Sequence, residues 1–429
     1  MLMQRNLSGL VGNMRWIASL RVQLLIEILL GVLLPLAVRY GIQTNYDQHP
    51  SAPASLVLTS LSVVSAMLMS RRIGGFPGAR TFIYVLPTFS ISFGLAILAA
   101  VVLRLDYNRT VLIASFTLSV AGAYALAYLS ARGAVRRFHV VPGGRTASLY
   151  DADGAEWLVL REPVVPTGPG VMIVADLHHD LESEWERMLA RAAIGGIPVY
   201  HVKQVRELLT GRVQIEHLSE NSFGSLLPNL AYRKVKRLLD LAACALVLPF
   251  LAIAMVLIAI CIRLDSPGPV FFRQQRMGYR GRPFTMVKFR SMTVRSEPPA
   301  AGARLYAITQ PDDDRITRVG RFLRRTRLDE LPQVLNILAG EMSWIGPRPE
   351  AMDLSIWYEA EIPFYSYRHI VRPGITGWAQ VNQGHVADLA EINMKLQYDF
   401  FYVKNFSAWL DVLITMRTIV VILNGFGSK

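Results

Sequence analysis

Two adjacent acidic residues, Asp329 and Glu330, follow a run of arginines and precede a proline. Pro332 to Gly340 has the pattern of a short helix with proline in its first turn and a glycine stop, so we expect the acidic pair at that helix's N-terminus. The positive end of a helix and the nearby arginines favour ionised carboxylates and attract phosphate. An ionised aspartate in such a site can bind Mg²⁺ through oxygen or attack phosphorus. Alone, the pair also fits a helix cap or a surface position, so its setting decides.

The arginines before this pair form a periodic segment with apolar residues at helical spacing. This pattern predicts a basic amphipathic helix on an anionic membrane surface. A net charge of +13 also raises nucleic acid as a partner, but the segment follows an apolar run and resembles no nucleic-acid-binding module. We therefore expect membrane lipids and phosphates, and no nucleic acid. The residues are Arg315, Ile316, Arg318, Val319, Arg321, Phe322, Leu323, Arg324, Arg325 and Arg327.

Apolar residues make up 52% of the 429-residue chain, and four long apolar stretches come first. Each is near the length of about 20 residues that crosses a bilayer as a helix. Basic residues cluster before the first stretch, between the second and third, and after the fourth, so the positive-inside rule places both ends of this part in the cytoplasm. For the weak second stretch, the alternative is an interfacial or buried helix. The stretches are Val22 to Val38, Ala54 to Met69, Phe82 to Leu103 and Val111 to Leu129.

A fifth apolar run, Leu241 to Ile262, has basic residues at both ends, which conflicts with a simple crossing. Pro249 lies within it, where it removes a helix hydrogen bond and predicts a kink. A helix that enters from the cytoplasm, bends at Pro249 and leaves on the same side satisfies both facts. The alternative is a fifth span with a proline kink.

Between the two apolar regions the composition becomes that of a soluble domain. Strands are predicted at Val171 to Val174 and Pro198 to Val202, with a helix from Leu181 to Ala193, so we expect a small α/β domain. Pro142, Gly143 and Gly144 lack a phosphate-loop pattern and are interpreted as a plain turn. Asp176, His178, His179 and Asp180 lack further metal ligands at suitable spacing and are interpreted as a solvated strand-to-helix loop.

Ordered sequence motifs continue to the end of the chain. They are KRLLD at Lys236–Asp240, SPGPVFFRQQRMG at Ser266–Gly278, KFRSM at Lys288–Met292, DDRITRVGRFLRRTRLDELPQ ending at Gln333, GPRPE at Gly346–Glu350, RPGITGWAQVN at Arg372–Asn382 and YDFFYVKNFSAWLDVLI from Tyr398. From about Tyr232 onward, this set resembles the catalytic module of the bacterial sugar transferases, which are monotopic polyprenyl-phosphate glycosyl-1-phosphate transferases. The full layout is similar to the long form of that family, which has N-terminal membrane helices.

The resemblance implies an enzyme that moves a sugar-1-phosphate from a UDP-sugar to undecaprenyl phosphate, releasing UMP and starting the assembly of a surface polysaccharide or glycan. Asp329 would be the nucleophile and form a covalent phosphosugar intermediate, and Glu330 would assist it. Mg²⁺, held by Asp329, would offset the diphosphate charge. The alternative is a catalytically inactive membrane scaffold or regulator of polysaccharide assembly.

Further site positions follow from the same resemblance. Gly374 and Gly377 would let a tight loop approach the ligand. The sequence departs from the family pattern at Leu248-Pro249, where Ser-Pro is frequent, and at Gln383-Gly384-His385, where Gly-Arg is usual. The candidate substrate- or phosphate-binding residues are Lys288, Arg324, Arg348, Arg372, Gln380 and Asp399.

These expectations combine into a three-part protein of the bacterial cytoplasmic (inner) membrane, multi-pass, with its catalytic domain on the cytoplasmic face. A membrane α-helical bundle of four transmembrane helices occupies residues 1–137, and a cytoplasmic Rossmann-like α/β domain occupies 138–230. A mixed, mainly α catalytic module occupies 231–429, with a re-entrant membrane helix at 238–262. Long apolar helices without a transport path also permit a homodimer.

Overall fold

A computed structural model describes residues 19–41, 49–77, 81–131, 136–150, 155–168, 170–215, 228, 230–293, 315–384 and 388–424 of the chain. His385, one of the departures noted in the sequence, lies outside these ranges. The chain divides into two compact units, Met1–Gly211 and Arg212–Lys429. Each unit is described by itself below.

Apolar helices begin the first unit. Helix α1 (Leu20–Glu27) continues through a π-helical turn (Ile28–Leu33) into α2 (Leu34–Tyr40), followed by α3 (Ser51–Gly74), α4 (Thr81–Val102) and α5 (Arg109–Ala131). These four segments and one helix of the second unit are long and apolar enough to cross a membrane. The structure thus confirms a helical N-terminal region with several candidate membrane spans.

Burial in these helices fits a lipid environment. Val63 and Phe89 lie in an apolar cluster inside the bundle and are fully buried. On the outside, Leu61, Leu95 and Ile113 are each more than 60% exposed. Large apolar side chains in such numbers on an exterior surface are typical of helices that face hydrocarbon, because lipid does not penalise them as water does.

A four-stranded parallel sheet completes the first unit, with strand order β2-β1-β3-β4. Its strands are β1 (Arg136–Val140), β2 (Ala155–Val159), β3 (Ile173–Ala175) and β4 (Val199–His201), and its helices are α6 (Ser183–Ile194) and α7 (Val202–Thr210). The two expected strands and the expected helix are therefore present, with ends shifted by one or two residues.

The loop after β3 differs from its sequence-based interpretation. Asp176 is only 3% exposed, so the expectation of a solvated loop is wrong at this residue. Its carboxylate accepts hydrogen bonds from the backbone N–H groups of Arg145 and His178, at 2.9 and 3.3 Å. A carboxylate at the end of a buried strand needs such partners, because burying even an uncharged polar group without a hydrogen bond costs roughly 2 to 7 kcal/mol and burying an unpaired charge costs more.

The second unit is a mixed α/β domain. It contains an antiparallel hairpin of β5 (Phe271–Met277) and β6 (Pro283–Phe289) and a parallel pair of β7 (Ser343–Ile345) and β8 (Gly374–Thr376). Its helices are α8 (Leu230–Asp265), α9 (Arg318–Thr326), α10 (Val334–Ala339), α11 (Met352–Glu361), α12 (Trp378–Asn382), α13 (Leu389–Lys404) and α14 (Ala408–Asn424). The expected basic amphipathic helix is α9, whose Leu323 is buried while Phe322 is 59% exposed.

Helix α8 packs against its own unit along one face. Cys244 contributes to a cluster with Phe284 and Ile337, and Ile262 contributes to a second cluster with Phe289 and Leu323. Along the opposite face a helical stripe of apolar side chains is exposed, between 51% and 83% each. The stripe consists of Leu246, Phe250, Ile253, Leu257, Ile260 and Leu264.

Gly374 and Gly377 allow two backbone segments of the second unit to approach closely. A Cβ at Gly374 would lie 2.1 Å from the backbone nitrogen of Gly346, and one at Gly377 would lie 2.2 Å from the Gly346 carbonyl oxygen. The glycines therefore let two backbone segments approach closely at the β7–β8 pair and directly after it. The expected approach of this loop to a ligand stays a prediction.

Candidate active site

The acidic pair lies on a 3₁₀ helix, Leu328–Gln333, directly before α10. Arg327, with φ of +57°, ends α9 in the left-handed conformation and turns the chain into this segment. The expected helix around Pro332 therefore begins four residues earlier, in 3₁₀ form, and Asp329 and Glu330 occupy its first turn. Gly340, with φ of +85°, ends α10 as the sequence indicates.

Glu330 is buried between two cations. Its Oε1 accepts hydrogen bonds from Lys288 Nζ at 3.3 Å and from an Arg348 guanidinium nitrogen at 2.8 Å. Burial alone would raise the pKa of Glu330, but the charges of Arg348 and Lys288 outweigh burial and hold the pKa far below its usual range. Glu330 is thus a fixed anion that holds both cations in place.

Asp329 is half-buried and has a different environment from its neighbour. Among the described residues, its carboxylate makes no hydrogen bond and no ion pair. Burial raises the pKa of Asp329, and the charge of Glu330 raises it further, while Lys288, Arg348 and Arg324 act in the opposite direction. Glu330 is therefore paired with two cations, whereas the oxygens of Asp329 have no hydrogen-bond or ion-pair partner in the described part of the chain.

The cations of the site come from three separate segments. Lys288 lies on β6, where burial lowers its pKa and the charge of Glu330 opposes that shift. Arg348 lies in the loop after β7, and Glu330 raises its pKa. Arg324 lies in the last turn of α9, and its positive charge acts to lower the pKa of Asp329. Three expected phosphate-binding cations thus surround the acidic pair.

Asp399 is buried and pairs with Arg368, an arginine that the sequence analysis did not single out. The Arg368 guanidinium lies 2.8 Å from Asp399 Oδ2, and both side chains are almost fully buried, at 3% and 2% exposure. Arg368 also donates a hydrogen bond of 2.8 Å to the backbone carbonyl of Arg348. Asp399 therefore positions Arg348 through Arg368, and burial raises the pKa of Asp399 against the charge of that partner.

Glu350 belongs to the same group of buried charges as Arg368 and Asp399. It forms ion pairs with Lys395 and Arg368. Burial would raise the pKa of Glu350, yet the Lys395 and Arg368 charges lower it to about 2. Arg276 donates to the carbonyl of Pro349 at 3.1 Å, and burial and the Arg348 charge lower its pKa to about 10. Glu350 belongs to the Gly-Pro-Arg-Pro-Glu motif and Arg276 to the motif at Ser266–Gly278, but the sequence did not single out either residue for the site.

Arg372 and Gln380 have contacts outside this group. Arg372 Nε donates to the carbonyl of Gly340 at 2.9 Å, and its guanidinium lies 5.3 Å from the ring centre of Tyr279. Within the described ranges, it makes no hydrogen bond or ion pair with the acidic pair. Gln380 donates to the Ile375 carbonyl at 3.1 Å, while its buried Oε1 has no hydrogen-bond partner among the described residues. Their binding roles stay predictions.

Comparison with known proteins extends this picture. Residues 231–425 match the family model described as bacterial sugar transferase. A UDP-N-acetylgalactosamine-undecaprenyl-phosphate N-acetylgalactosaminephosphotransferase of Aeromonas hydrophila is 44% identical over 355 residues, which is 82% of this chain and 83% of that protein.

Two further relatives match smaller parts of this chain. A UDP-glucose:undecaprenyl-phosphate glucose-1-phosphate transferase of Xanthomonas campestris pv. campestris is 48% identical over 171 residues, 39% of this chain and 34% of that protein. One with the same name from Caulobacter vibrioides is 42% identical over 202 residues, 47% of this chain and 74% of that protein. With its ordered motifs and its match to the Aeromonas protein over most of both chains, this chain belongs to the bacterial sugar transferase family.

Proposed function

We propose that this chain transfers a sugar-1-phosphate from a UDP-sugar to undecaprenyl phosphate, releases UMP, and so begins the assembly of a surface polysaccharide. The names of the Aeromonas and Xanthomonas relatives support the reaction class. One structural observation carries the proposal: Glu330 is neutralised by Lys288 and Arg348, while the adjacent Asp329 carboxylate has no partner among the described residues. A carboxylate kept open beside fixed cations suits attack on a phosphate.

In the first step an Asp329 carboxylate oxygen attacks the phosphorus that bears the sugar. The bond from that phosphorus to the bridging oxygen breaks, and UMP leaves with this oxygen and the electron pair. Lys288, Arg348 and Arg324 stabilise the charge that develops on the phosphoryl oxygens and on the leaving group. The product is a covalent aspartyl-phosphosugar.

In the second step a phosphate oxygen of undecaprenyl phosphate attacks the same phosphorus. The acyl-phosphate bond to Asp329 breaks, which restores the carboxylate and forms the lipid-linked diphosphosugar. Glu330 assists by holding Lys288 and Arg348 at their positions throughout both steps. No net proton transfer is required, so a general base is not part of this mechanism.

The residues present fit a magnesium ion. Mg²⁺ prefers carboxylate oxygens and substrate phosphates, and the Asp329 carboxylate makes no ion pair with any described residue. Asp329 would hold the ion, which would supply charge neutralisation at the diphosphate. Turnover measured after removal of divalent ions tests this, and unchanged turnover would rule the requirement out.

We also infer that α8 enters the membrane and leaves it on the same side. Near its start, Arg237 donates to the carbonyl of Ile337 at 2.6 Å, and near its end Asp265 accepts from the backbone of Val319 at 3.2 Å. At 36 residues the helix is about 54 Å long, well beyond a hydrocarbon core of about 30 Å. A simple crossing would place the two ends of the helix on opposite faces of the membrane, yet both ends contact the same domain. The kink at Pro249 stays a prediction, as does placement on the cytoplasmic face of the inner membrane.

Cysteine accessibility tests this topology. In a chain with Cys244 and Cys261 replaced, Lys234→Cys and Pro269→Cys would each react with an impermeant maleimide in inverted vesicles and not in intact cells with the outer membrane permeabilised. Asp106→Cys, between α4 and α5, is the matched control with the opposite expectation. Labelling of Pro269→Cys from outside would contradict the re-entrant path.

The reaction itself is tested with purified full-length protein in detergent with Mg²⁺. Radiolabelled UDP-sugars, including UDP-N-acetylgalactosamine and UDP-glucose, are offered with undecaprenyl phosphate, and lipid product and UMP are counted. The control variant is Asp353→Asn, the same aspartate-to-asparagine change at an exposed position. Wild type and this control should give both products with one sugar. Asp329→Asn should give neither.

The alternative function, a scaffold without catalysis, predicts that folded wild type gives no product with any sugar.

A homodimer stays a prediction, and the particle mass in lipid nanodiscs tests it. The division at 138–230 into a cytoplasmic Rossmann-like domain is likewise a proposal, supported by the parallel sheet at β1–β4.

A further inference from the structure

The parallel sheet of the first unit has a place where loops leave its carboxyl edge in opposite directions. In the order β2-β1-β3-β4, the chain passes from β1 to one side and from β3 to the other. Sheets of this type bind ligands at such a switch point. The loop after β3 there begins with Asp176 and continues to His178, and the neighbouring strand β4 ends at His201.

Three side chains with metal-binding atoms meet at this edge. The ligand atoms of Asp176, His178 and His201 all lie within 4.8 Å of one another. His201 Nε2 is 3.0 Å from His178 Nδ1, and His201 Nδ1 is 3.8 Å from Asp176 Oδ1. His201 lies 25 positions after Asp176 in the chain, so strand pairing, not local spacing, brings the set together.

The surroundings orient these side chains for a common ligand. His201 Nδ1 lies 3.4 Å from the carbonyl of Ala175, which suits an N–H at that nitrogen and leaves Nε2 as a lone-pair donor. Asp176 is buried and held by the backbone N–H of Arg145. His178 is exposed, so the site opens to solvent.

We propose that Asp176, His178 and His201 bind a divalent transition metal ion of the zinc class. Two nitrogens 3.0 Å apart, each about 2.1 Å from one ion, subtend an angle of about 90° at it, within the range of protein metal sites. Two imidazoles and one carboxylate suit zinc, nickel or cobalt, whereas magnesium prefers oxygen alone. Three protein ligands leave a coordination position open, as in metal sites that bind a further molecule.

The proposed metal site and the proposed transferase site are formed by different residues in different units. The metal site lies in the first unit, whereas Asp329 and Glu330 lie in the second. Excess Mg²⁺ competes for carboxylate and phosphate oxygens and leaves imidazole nitrogens available. Zinc binding measured in excess Mg²⁺ therefore separates the two sites.

The test is isothermal titration of zinc into the full-length protein, purified without a histidine tag in detergent with excess Mg²⁺. Wild type should bind one zinc ion per chain. His178→Ala and Asp176→Asn should weaken binding at least about tenfold, since even the loss of a group behind a ligand has effects of that size. His179→Ala, the adjacent loop histidine outside the trio, should bind like wild type.

Cobalt absorption gives a second readout of the same coordination. Wild type and His179→Ala loaded with Co²⁺ should show the same visible bands, and His178→Ala should lose them. His178 is exposed, so its removal tests the site even if Asp176→Asn fails to fold. No zinc binding by wild type, or equal binding by His178→Ala, would overturn the proposal and leave a histidine–histidine hydrogen bond as the whole interaction.

Discussion

Two groups of buried charges in the second unit differ in one respect. The dyad cluster consists of Asp329, Glu330, Lys288 and Arg348, and the support cluster consists of Arg368, Asp399, Glu350 and Lys395. Every carboxylate of the support cluster forms an ion pair, at Arg368 or Lys395. In the dyad cluster only Glu330 does, among the described residues. A closed set of pairs fixes a structure, whereas an open carboxylate beside fixed cations is available for chemistry.

One residue connects the two clusters. The Arg348 side chain donates to Glu330, and its backbone carbonyl accepts from Arg368. The support cluster therefore determines where the Arg348 guanidinium lies relative to Asp329. Buried ion pairs contribute little net stability, but they resist the removal of one partner, and this makes them useful for holding a position.

The same substitution in the two clusters should separate their roles most strongly. Asp329→Asn should lower turnover at least about 10³-fold, since the nucleophile is lost, with no change in the melting temperature. Asp399→Asn should lower the melting temperature and retain measurable turnover at low temperature. Initial rates of UMP release and thermal unfolding in detergent measure both. Full turnover by Asp329→Asn would remove the distinction between the clusters.

Removal of the central cation should destabilise the support cluster. Arg368→Met leaves Asp399 buried without its partner, so we expect a loss of about 3–5 kcal/mol in the free energy of unfolding. Thermal and denaturant unfolding check this. Arg321→Met, at an exposed arginine of α9, is the matched control and should unfold like wild type. Equal stability of the two variants would mean that Arg368 is dispensable.

A backbone change near Arg348 should have a smaller effect. Gly374→Ala places a Cβ against the backbone of Gly346, two residues before Arg348, and should cost about 1–3 kcal/mol through overpacking. A Cβ at Gly384 meets no atom of the described residues within 4 Å, so Gly384→Ala should be neutral. The difference in melting temperature between the two alanine variants measures the cost, and no difference would show that the strand pair can separate freely.

The smallest effect concerns pH. Asp329 reacts as the carboxylate, and its pKa is already raised by burial and by Glu330, so activity should fall as pH decreases through that raised pKa. Lys288→Met removes a charge that lowers the pKa, and the acid limb of kcat/KM should move to higher pH by about one unit. Lys395→Met, in the support cluster, should leave the limb in place. If the acid limb moved in both variants, the two clusters would not have separate roles.

The sequence predicted elements better than contacts between distant residues. Apolar runs predicted the four N-terminal helices, and strand and helix patterns predicted two of the four strands of the parallel sheet and the helix between them, because these signals are local. The Asp329–Glu330 pair and the cations Lys288 and Arg348 were identified through motifs, and the structure brings them together.

The missed features depend on tertiary pairing. Arg368 pairs with Asp399, which lies 31 positions later in the sequence, and no local sequence pattern indicates such a partner. The solvated-loop interpretation of Asp176 rests on the lack of further metal ligands at nearby positions, yet the pairing of β3 with β4 places it, buried, beside His201. Gly374 is small by its residue type, but only the fold shows that its backbone packs against that of Gly346.

The apolar stripe on α8 has a further consequence for the substrate. Leu328 and Leu331, on either side of the acidic pair, pack into the same cluster as Ile262 of α8. On the membrane-inserted path proposed for α8, this contact ties the helix to the acidic pair and sets the height of the two carboxylates above the bilayer. A carrier lipid diffusing in the plane of the membrane keeps its phosphate at a nearly constant depth. The search for that phosphate is then reduced from three dimensions to two.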